Sequence, residues 1–376
     1  MANNSSAEEI YIGRDFYVPY FEVKIQNKKL DKEIINDVTG LTYKDNLKDI
    51  DSFELTINNW DAQHRWFKYI EGDNKEKFFP GQEVEVYMGY IYQKKRTVER
   101  MLYGEITTLE PDFPGSGPPT LRVRGLNILH RLRDKQRSDT YTNKKDSDIA
   151  KKIAKRIGIE IEVSKNYSAN EEPVEFIFQN NKYDIVFLLE RAKTIGYELY
   201  VDPDKKKLVF KPSTQGSATY KLDWNRSLLN FRPTLTTASQ VSEVRVIGWN
   251  PKKKKKVVGK AKRKDLDTKA LGVAKDIKLI EKSLTNKIEV IADKPVQTKK
   301  EADRLAKETL EQIAKGMVKA SGSTVGLPKL KAGTYLEIGK LGDLFSGRYY
   351  VTETTHTIGD SGYTTSFSAR KEEENK

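Results

Sequence analysis

Gly81-Gln82-Glu83-Val84-Glu85-Val86 reads as a turn glycine behind Pro80 that opens a strand, with Val84 and Val86 alternating against glutamates. The stretch recurs as Gly333-Thr334-Tyr335-Leu336-Glu337-Ile338, keeping the glycine, one glutamate and two apolar residues in register. Further on, Leu102-Tyr103-Gly104-Glu105-Ile106-Thr107-Thr108 parallels Tyr350-Val351-Thr352-Glu353-Thr354-Thr355-His356. A turn follows each, then an alternating strand ending in arginine, Thr120 to Arg124 and Tyr363 to Arg370. Glycine and glutamate lie 24 residues apart in the first copy and 20 in the second. Two readings stand. Any two antiparallel meanders share such alternation; alternatively, a β-barrel is duplicated. In the second case three chains in a ring offer six similar barrels, able to face a sixfold object on one side and a threefold object on the other.

Outward from this repeat, three regimes follow one another, as expected for a chain of 376 residues that exceeds one core. From Phe16 to Leu132 period-2 segments such as Tyr20 to Ile25 and Phe53 to Ile57 predict half-buried antiparallel strands, broken by Pro80-Gly81 and by Pro114 to Pro119. From Asp134 to Pro212 the period is helical. Ser147 is placed to cap a helix bearing Ile149, Ile153 and Ile157 that stops at Gly158, and a second runs from Tyr183 to Ile195 and stops at Gly196. Short strands follow each helix, Ile159 to Val163 and Tyr197 to Val201, the latter pairing with Lys207 to Lys211 across Pro203-Asp204. From Ala218 strands return, at Val241 to Ile247, Lys287 to Ile291, Tyr335 to Ile338, Tyr349 to Thr355 and Tyr363 to Ala369. One helix interrupts them, with Thr298 and Glu301 forming a capping box and Gly316 ending it. The expected fold is α+β, mainly β: two tube-like antiparallel barrel domains, 1–133 and 216–376, flanking an α+β module at 134–215. The second barrel carries a helix at 298–315 and a basic loop at 252–264.

Composition narrows the chemistry. The chain has no cysteine, which excludes disulfides, thiolate metal sites and cysteine nucleophiles. The three histidines, His64, His130 and His356, never fall at metal-ligand spacing. His64, between Trp60 and Trp66, reads as a partly buried structural residue in an aromatic cluster. The carboxylate pairs Glu8-Glu9, Glu171-Glu172 and Asp202/Asp204 sit in polar loops, unlike the separated acid and base of a glycosidase. Phosphate-cradling glycine loops and a Gly-x-Ser-x-Gly elbow are missing. No catalytic residue, metal or cofactor is expected. No apolar run reaches the roughly 20 residues of a membrane span, and the polar start from Met1 to Glu9 predicts no Sec export.

Of the formal net charge of +13, nine positive charges lie between Lys252 and Lys264, leaving +4 for the remainder. The run comprises Lys252, Lys253, Lys254, Lys255, Lys256, Lys260, Lys262, Arg263 and Lys264. It reads as a solvated hairpin loop, as a surface docking an acidic neighbour, or as a nucleic-acid contact. The last needs stacking aromatics or a groove-reading element, and only Trp249 is near.

Taken together, these segments resemble the phage late control gene D family. The family includes baseplate hubs of phage tails, the hub part of the type VI secretion spike (valine-glycine repeat protein G) and hubs of extracellular contractile injection systems. The resemblance runs from Tyr17 to Arg370. It rests on the order of Val38-Thr39-Gly40-Leu41, Ser52 to Ile57, Pro80 to Val86, Val123 to Leu126 with His130-Arg131-Leu132, Ser147 to Ala150, Asp184 to Ala192 with Gly196-Tyr197, Val244 to Pro251, Tyr350 to His356, where the family pattern also has a histidine, and Gly362 to Phe367.

The resemblance implies a non-enzymatic hub and symmetry adaptor: a homotrimer of pseudo-sixfold outline that joins a sixfold tail tube to a threefold spike. His356 would serve packing or an interface. Implied partners are the tube protein, the spike, baseplate wedge proteins and a cargo or tape-measure protein, with no sequence-specific nucleic acid and no membrane insertion. Assembly would take place in the bacterial cytoplasm, for a phage tail or a contractile injection particle. In type VI members the hub continues into a further barrel and a β-helical spike. Here the sequence stops at Lys371 to Lys376, so the spike is expected on a separate polypeptide. The alternative is a basic nucleic-acid-binding protein using residues 252–264.

Overall fold

The computed structural model describes residues 8–10, 18–92, 95–163, 171–212, 218–266, 284, 287–293 and 296–372. The start of the first regime at Phe16 and Tyr17, the residues before Glu8 and the end at 373–376 lie outside that set, as do the side chains of Glu8 and Glu9.

The first regime forms β1 (Glu8–Glu9), β2 (Pro19–Ile25), β3 (Lys28–Lys29), helix α1 (Lys32–Asp37), β4 (Val38–Asn46), β5 (Ser52–Asn58), β6 (Trp60–Asp61), β7 (Trp66–Phe67), β8 (Glu83–Tyr92), β9 (Lys95–Asp112) and β10 (Thr120–Asn127). The helical regime holds β11 (Gln136–Lys144), α2 (Asp146–Arg156), β12 (Ile161–Val163), β13 (Val174–Tyr183), α3 (Asp184–Thr194), β14 (Tyr197–Asp202) and β15 (Lys207–Pro212). The third comprises β16 (Ala218–Asp223), β17 (Leu228–Leu235), β18 (Glu243–Asn250), β19 (Lys255–Lys262), β20 (Ile288–Ile291), α4 (Lys299–Lys315), β21 (Val318–Val325), β22 (Tyr335–Gly339), β23 (Gly347–Gly359) and β24 (Gly362–Lys371). The molecule is mainly β.

The repeat is visible in the pairing. Hydrogen-bonded neighbours run β2-β8-β9-β10-β5-β4 in the first half and β16-β22-β23-β24-β21-β17 in the second. Gly81 and Gly333 both adopt left-handed φ, +92° and +84°, which glycine reaches without Cβ strain. The same two bonds follow each. Gly81 N–H donates to Ile106 O (2.8 Å) and Ile106 N–H to Gln82 O (2.9 Å), as Gly333 N–H does to Val351 O and Val351 N–H to Thr334 O (both 2.9 Å). Ile106 therefore corresponds to Val351, and Glu105 to Tyr350. The match of Glu105 with Glu353 expected from sequence is out of register, because similar side chains recur along a strand while backbone bonds fix one pairing.

The two halves are continuous through hydrogen-bonded strands. Both belong to one 14-stranded sheet, largely antiparallel, and no closed barrel forms among the described residues. The reason lies in β23. Its first residues, Gly347 to Tyr350, pair with β22; a register irregularity follows between Val351 and Glu353; then Glu353 to Ile358 pair with β4 of the first half. Such an irregularity re-aims a strand, and here it lets β23 change partners. The free edge of the first half is thus taken up by the second. In the other direction, β1 pairs parallel to β16, and Ile10 is buried in the core of the second half.

Among the described residues, buried apolar side chains form four clusters. One fills the first half and includes Ile358 and Tyr363 from the last two strands; another fills the second half around Tyr220, Leu336, Tyr349 and Phe367. A third underlies α2 and α3. The fourth joins α4 to β18 and β19. In the helical module the first residue of each helix pairs with an arginine near the end of the other. Arg191 Nε and a terminal guanidinium nitrogen donate to Asp146 (2.6 and 2.9 Å), and Arg156 donates to both oxygens of Asp184 (2.8 Å each). Acid at helix N-termini and base near C-termini also complement the helix dipoles. Ser147 does not cap α2, which begins one residue earlier; the carboxylate of Glu171 accepts the Ser147 N–H instead (3.0 Å).

At the junction of the halves, His356 is fully buried opposite Tyr43. Burial pushes its pKa down to about 3, so the ring is neutral. Nε2–H donates to Leu330 O (2.9 Å), leaving Nδ1 to accept from Tyr363 and Thr365 (2.9 and 3.1 Å). Beside it, Asp45 accepts the Ala332 N–H (2.7 Å), and Asp51 accepts from Asn127 (2.6 Å) and the Asn46 N–H (3.2 Å). Burial pushes Asp45 up to about 6, and burial with the charge of Asp45 pushes Asp51 well above the usual carboxylate range.

For an acid raised on folding, the folded state holds the proton more tightly. The stability this adds is complete below the unfolded carboxylate range and is lost as pH climbs through about 6. His356, a depressed base, acts oppositely and loses stability as pH falls below the ordinary histidine range. Asp45→Asn keeps the acceptor for Ala332 and cannot ionise. In urea titrations it should gain on the parent as pH rises from 5 to 7.5, by about 1–3 kcal/mol, with the His356 contribution cancelling. A difference independent of pH would contradict the assignment.

Candidate functional site

β18 and β19 form an antiparallel hairpin with Glu243 opposite Lys262, Arg245 opposite Lys260, Ile247 opposite Val258 and Trp249 opposite Lys256. The segment expected as a loop at 252–264 is therefore a four-residue turn, a strand and a 3-10 turn at Arg263–Asp265. Val257 and Val258 supply strand character, and Gly259 and Ala261 let the strand pack closely on the neighbouring helix. In the turn, Asn250 Oδ1 accepts the Lys253 N–H (2.8 Å), and Lys254 takes a left-handed φ of +48°.

Alternation divides the hairpin. Val244, Val246, Gly259 and Ala261 point at α4, whose Ala302, Leu305, Ala306 and Leu310 cover them. Gly259 permits that contact: a Cβ there would stand 2.2 Å from the Ala302 carbonyl carbon and 2.4 Å from the Asp303 nitrogen. Asp303 also accepts the Lys260 N–H (3.0 Å). Thr298 and Glu301 cap α4 reciprocally, the Glu301 N–H to Thr298 Oγ1 at 3.2 Å and the Thr298 N–H to Glu301 Oε2 at 3.1 Å, as read from sequence.

The nine basic residues do not share one fate. Lys252 to Lys256, Lys260, Lys262 and Lys264 are exposed. Arg263 is only 6% exposed; it donates to the carbonyl of Val241 (3.0 Å) and to Gln240 Oε1, and so holds the hairpin base instead of facing outward. Lys252 pairs with Glu175 on β13. Glu243, held below the usual carboxylate range first by its hydrogen bond from Arg245 (2.5 Å), also lies 3.9 Å from Lys262. Lys253, Lys254, Lys255, Lys256 and Lys260 have no carboxylate partner among the described residues.

Sequence reading missed what lies between these lysines. β20 pairs parallel to β18, with Ile288 beside Glu243 and Val290 beside Arg245. The side of this sheet away from α4 thus shows Ile247, Val258, Ile288, Val290 and Trp249, framed by Arg245, Lys256, Lys260 and Lys262. Trp249 is 56% exposed, Val290 52% and Ile288 40%. Trp249 and Lys256 also line a groove of about 680 Å³ closed by Ala292, Asp293 and Val296. A signal existed: Val246-Ile247, Val257-Val258 and Val290-Ile291 are adjacent apolar pairs, and in a strand neighbours face opposite ways.

The other expected site residues are dispersed. His64 is exposed, not part of a buried cluster. Asp61 organises its turn, accepting from Gln63 N, His64 N and Trp66 Nε1 at 2.9, 3.0 and 3.2 Å, with His64 Nδ1 at 2.9 Å. His130 bonds Glu105 (2.6 Å). Glu172 pairs with Lys300, and Asp202 Oδ1 accepts the N–H groups of Asp204 and Lys205. Among the described residues no group of His, Asp or Glu side chains gathers as a metal site, and no helix is long and apolar enough to cross a membrane.

A family model described as the Alg8 N-terminal domain matches residues 17–360. Among solved structures, the 43 kDa tail protein of prophage MuSo2 from Shewanella oneidensis is similar with a TM-score of 0.70 at 15% identity, over 93% of this chain and 98% of that one. The tail protein of Neisseria meningitidis MC58 gives 0.69 at 13%, over 94% and 97%. An Escherichia coli component of the type VI secretion system gives 0.55 at 12%, over 92% and 76%. At such identities the likeness establishes a shared fold. No curated protein matches the chain in sequence.

Replacing Gly259 by valine should force α4 off the hairpin and cost about 1–3 kcal/mol or more, read as a lowered denaturation midpoint, while Lys264→Ala on the exposed turn should cost under about 0.5 kcal/mol. Equal effects of the two would refute the close-packing role of Gly259.

Proposed function

The chain belongs to the family described as the Alg8 N-terminal domain, and we propose that it is a structural component of a tail or baseplate, serving as the central hub where a tail tube meets a spike. The observation that carries this reading is a fold shared end to end with two tail proteins, over 98% and 97% of their lengths. The order of motifs that resembles the phage late control gene D family supports the same reading.

The mechanism follows from the repeat. Two halves with the same strand order give each chain two related, non-identical surfaces. A trimer then offers six related contacts to a tube and three to a spike, which is how one chain can reconcile two symmetries. In this reading the tube-like units are the first and third regimes, 134–215 is the module between them, and the role is mechanical and without turnover. Tube, spike and wedge proteins are the partners, with a cargo or tape-measure protein in the lumen, and the particle assembles in the bacterial cytoplasm.

Native mass spectrometry of the purified chain, alone and with spike and tube proteins from the same source, tests the reading. The expected result is three copies per complex, formed alone or on meeting the spike, and density for the chain between tube and spike in electron micrographs of intact particles. A chain that stays monomeric with both partners and is missing from the particle would overturn the hub. Peptidoglycan cleavage by the pure protein would overturn the non-enzymatic role.

A further inference from the structure

The side of the β18–β19–β20 sheet turned away from α4 is built unlike an ordinary solvated face. Its centre is apolar: Ile247 and Val258 sit opposite each other, Val290 lies beside Arg245, and Trp249 is more than half exposed. None of these side chains belongs to the four core clusters. The charged residues stand around that centre, with Lys256 and Lys260 on β19 and Lys253 and Lys254 in the turn, none in an ion pair with a carboxylate among the described residues. An apolar centre with a charged rim is the anatomy of a protein interface, and contiguous exposed apolar surface of this kind marks interaction sites.

We propose that this face docks an acidic segment of a partner protein, one that alternates carboxylates with aliphatic side chains. Charge selects the occupant. The rim is mostly basic: of its carboxylates, Glu243 is already engaged by Arg245 and Lys262, and Asp293 stands at the groove beside Trp249 and Lys256. A second copy of the same face would set lysine against lysine, which charge repulsion opposes. A nucleic-acid strand would use the lysines but leave the aliphatic centre without a role, and only Trp249 offers a ring for base stacking. An extended peptide instead presents one side chain in two to each face. Its apolar residues can cover Ile247, Val258 and Val290 while its carboxylates reach Lys256 and Lys260.

The inference goes beyond the hub reading and stands apart from it, because the isolated full-length chain tests it. The probe is a labelled synthetic peptide of alternating glutamate and valine, followed by fluorescence anisotropy at low salt. Binding with Kd below about 100 µM is expected, weakened at least about tenfold by the double change Lys256→Glu, Lys260→Glu and by Trp249→Ala. All three positions are exposed, and unchanged melting temperatures will show that the variants fold. A glutamate–serine peptide of equal length should bind at least about tenfold more weakly. Binding no tighter than that control, or insensitive to the substitutions, would overturn the proposal. So would displacement of the peptide by an oligothymidine of similar length at stoichiometric concentration, which would assign the face to nucleic acid.

Discussion

The ladder between β4 and the far part of β23 holds the architecture together. Through it the third segment of the chain completes the first: Tyr43 faces His356, and Ile358 and Tyr363 enter the core that β4, β5, β8 and β9 enclose. A neutral imidazole suits this position. Its one N–H is spent on Leu330 O, and its other nitrogen accepts hydroxyl donors, so a polar ring is fully satisfied in an apolar setting. Tyr90, on β8, adds a bond to Gly326 O (3.0 Å), and Lys331 reaches Arg100 O (2.9 Å). Rotation of one half against the other would expose all of these groups together.

Much of this was legible in the order of residues, and the reasons for the exceptions are physical. Three main helices lie within a residue or two of their expected places, because caps and glycine stops act locally. The capping box at Thr298 and Glu301 is the clearest case. The hairpin of β14 and β15 across Pro203-Asp204 is equally local. The duplicated plan could be read from Gly81 and Gly333 because a left-handed turn demands glycine. Its register could not, since the glutamates that look alike, Glu105 and Glu353, stand three positions out of step and only the backbone bonds reveal it. The union of the halves in one sheet was likewise hidden: nothing around Thr354 to Ile358 announces that β23 pairs with a strand near the other end of the chain.

The candidate site shows the same division. Its basic charge was plain, but charge alone suggested a loop, and a strand emerged because Val257, Gly259 and Ala261 had α4 to pack against. Arg263 was grouped with the lysines by type, while the structure uses its fixed, planar set of donors as an internal brace, a task the more flexible lysine performs less well. The aliphatic centre became visible only when three strands from distant parts of the chain were set side by side.

The route taken by β23 also bears on when the protein can fold. Asp45 and Ala332, bonded in the finished molecule, are 287 residues apart. At bacterial synthesis rates of about 5–20 residues per second, β4 waits roughly a quarter of a minute to a minute for its partner to leave the ribosome. Until then its edge is an unpaired template of the kind that invites wrong strands. Residues 8–10 wait similarly for β16 and the core behind it. Contacts of such long range are slow to form, so the nascent chain holds an open edge until β23 has been made and can close it.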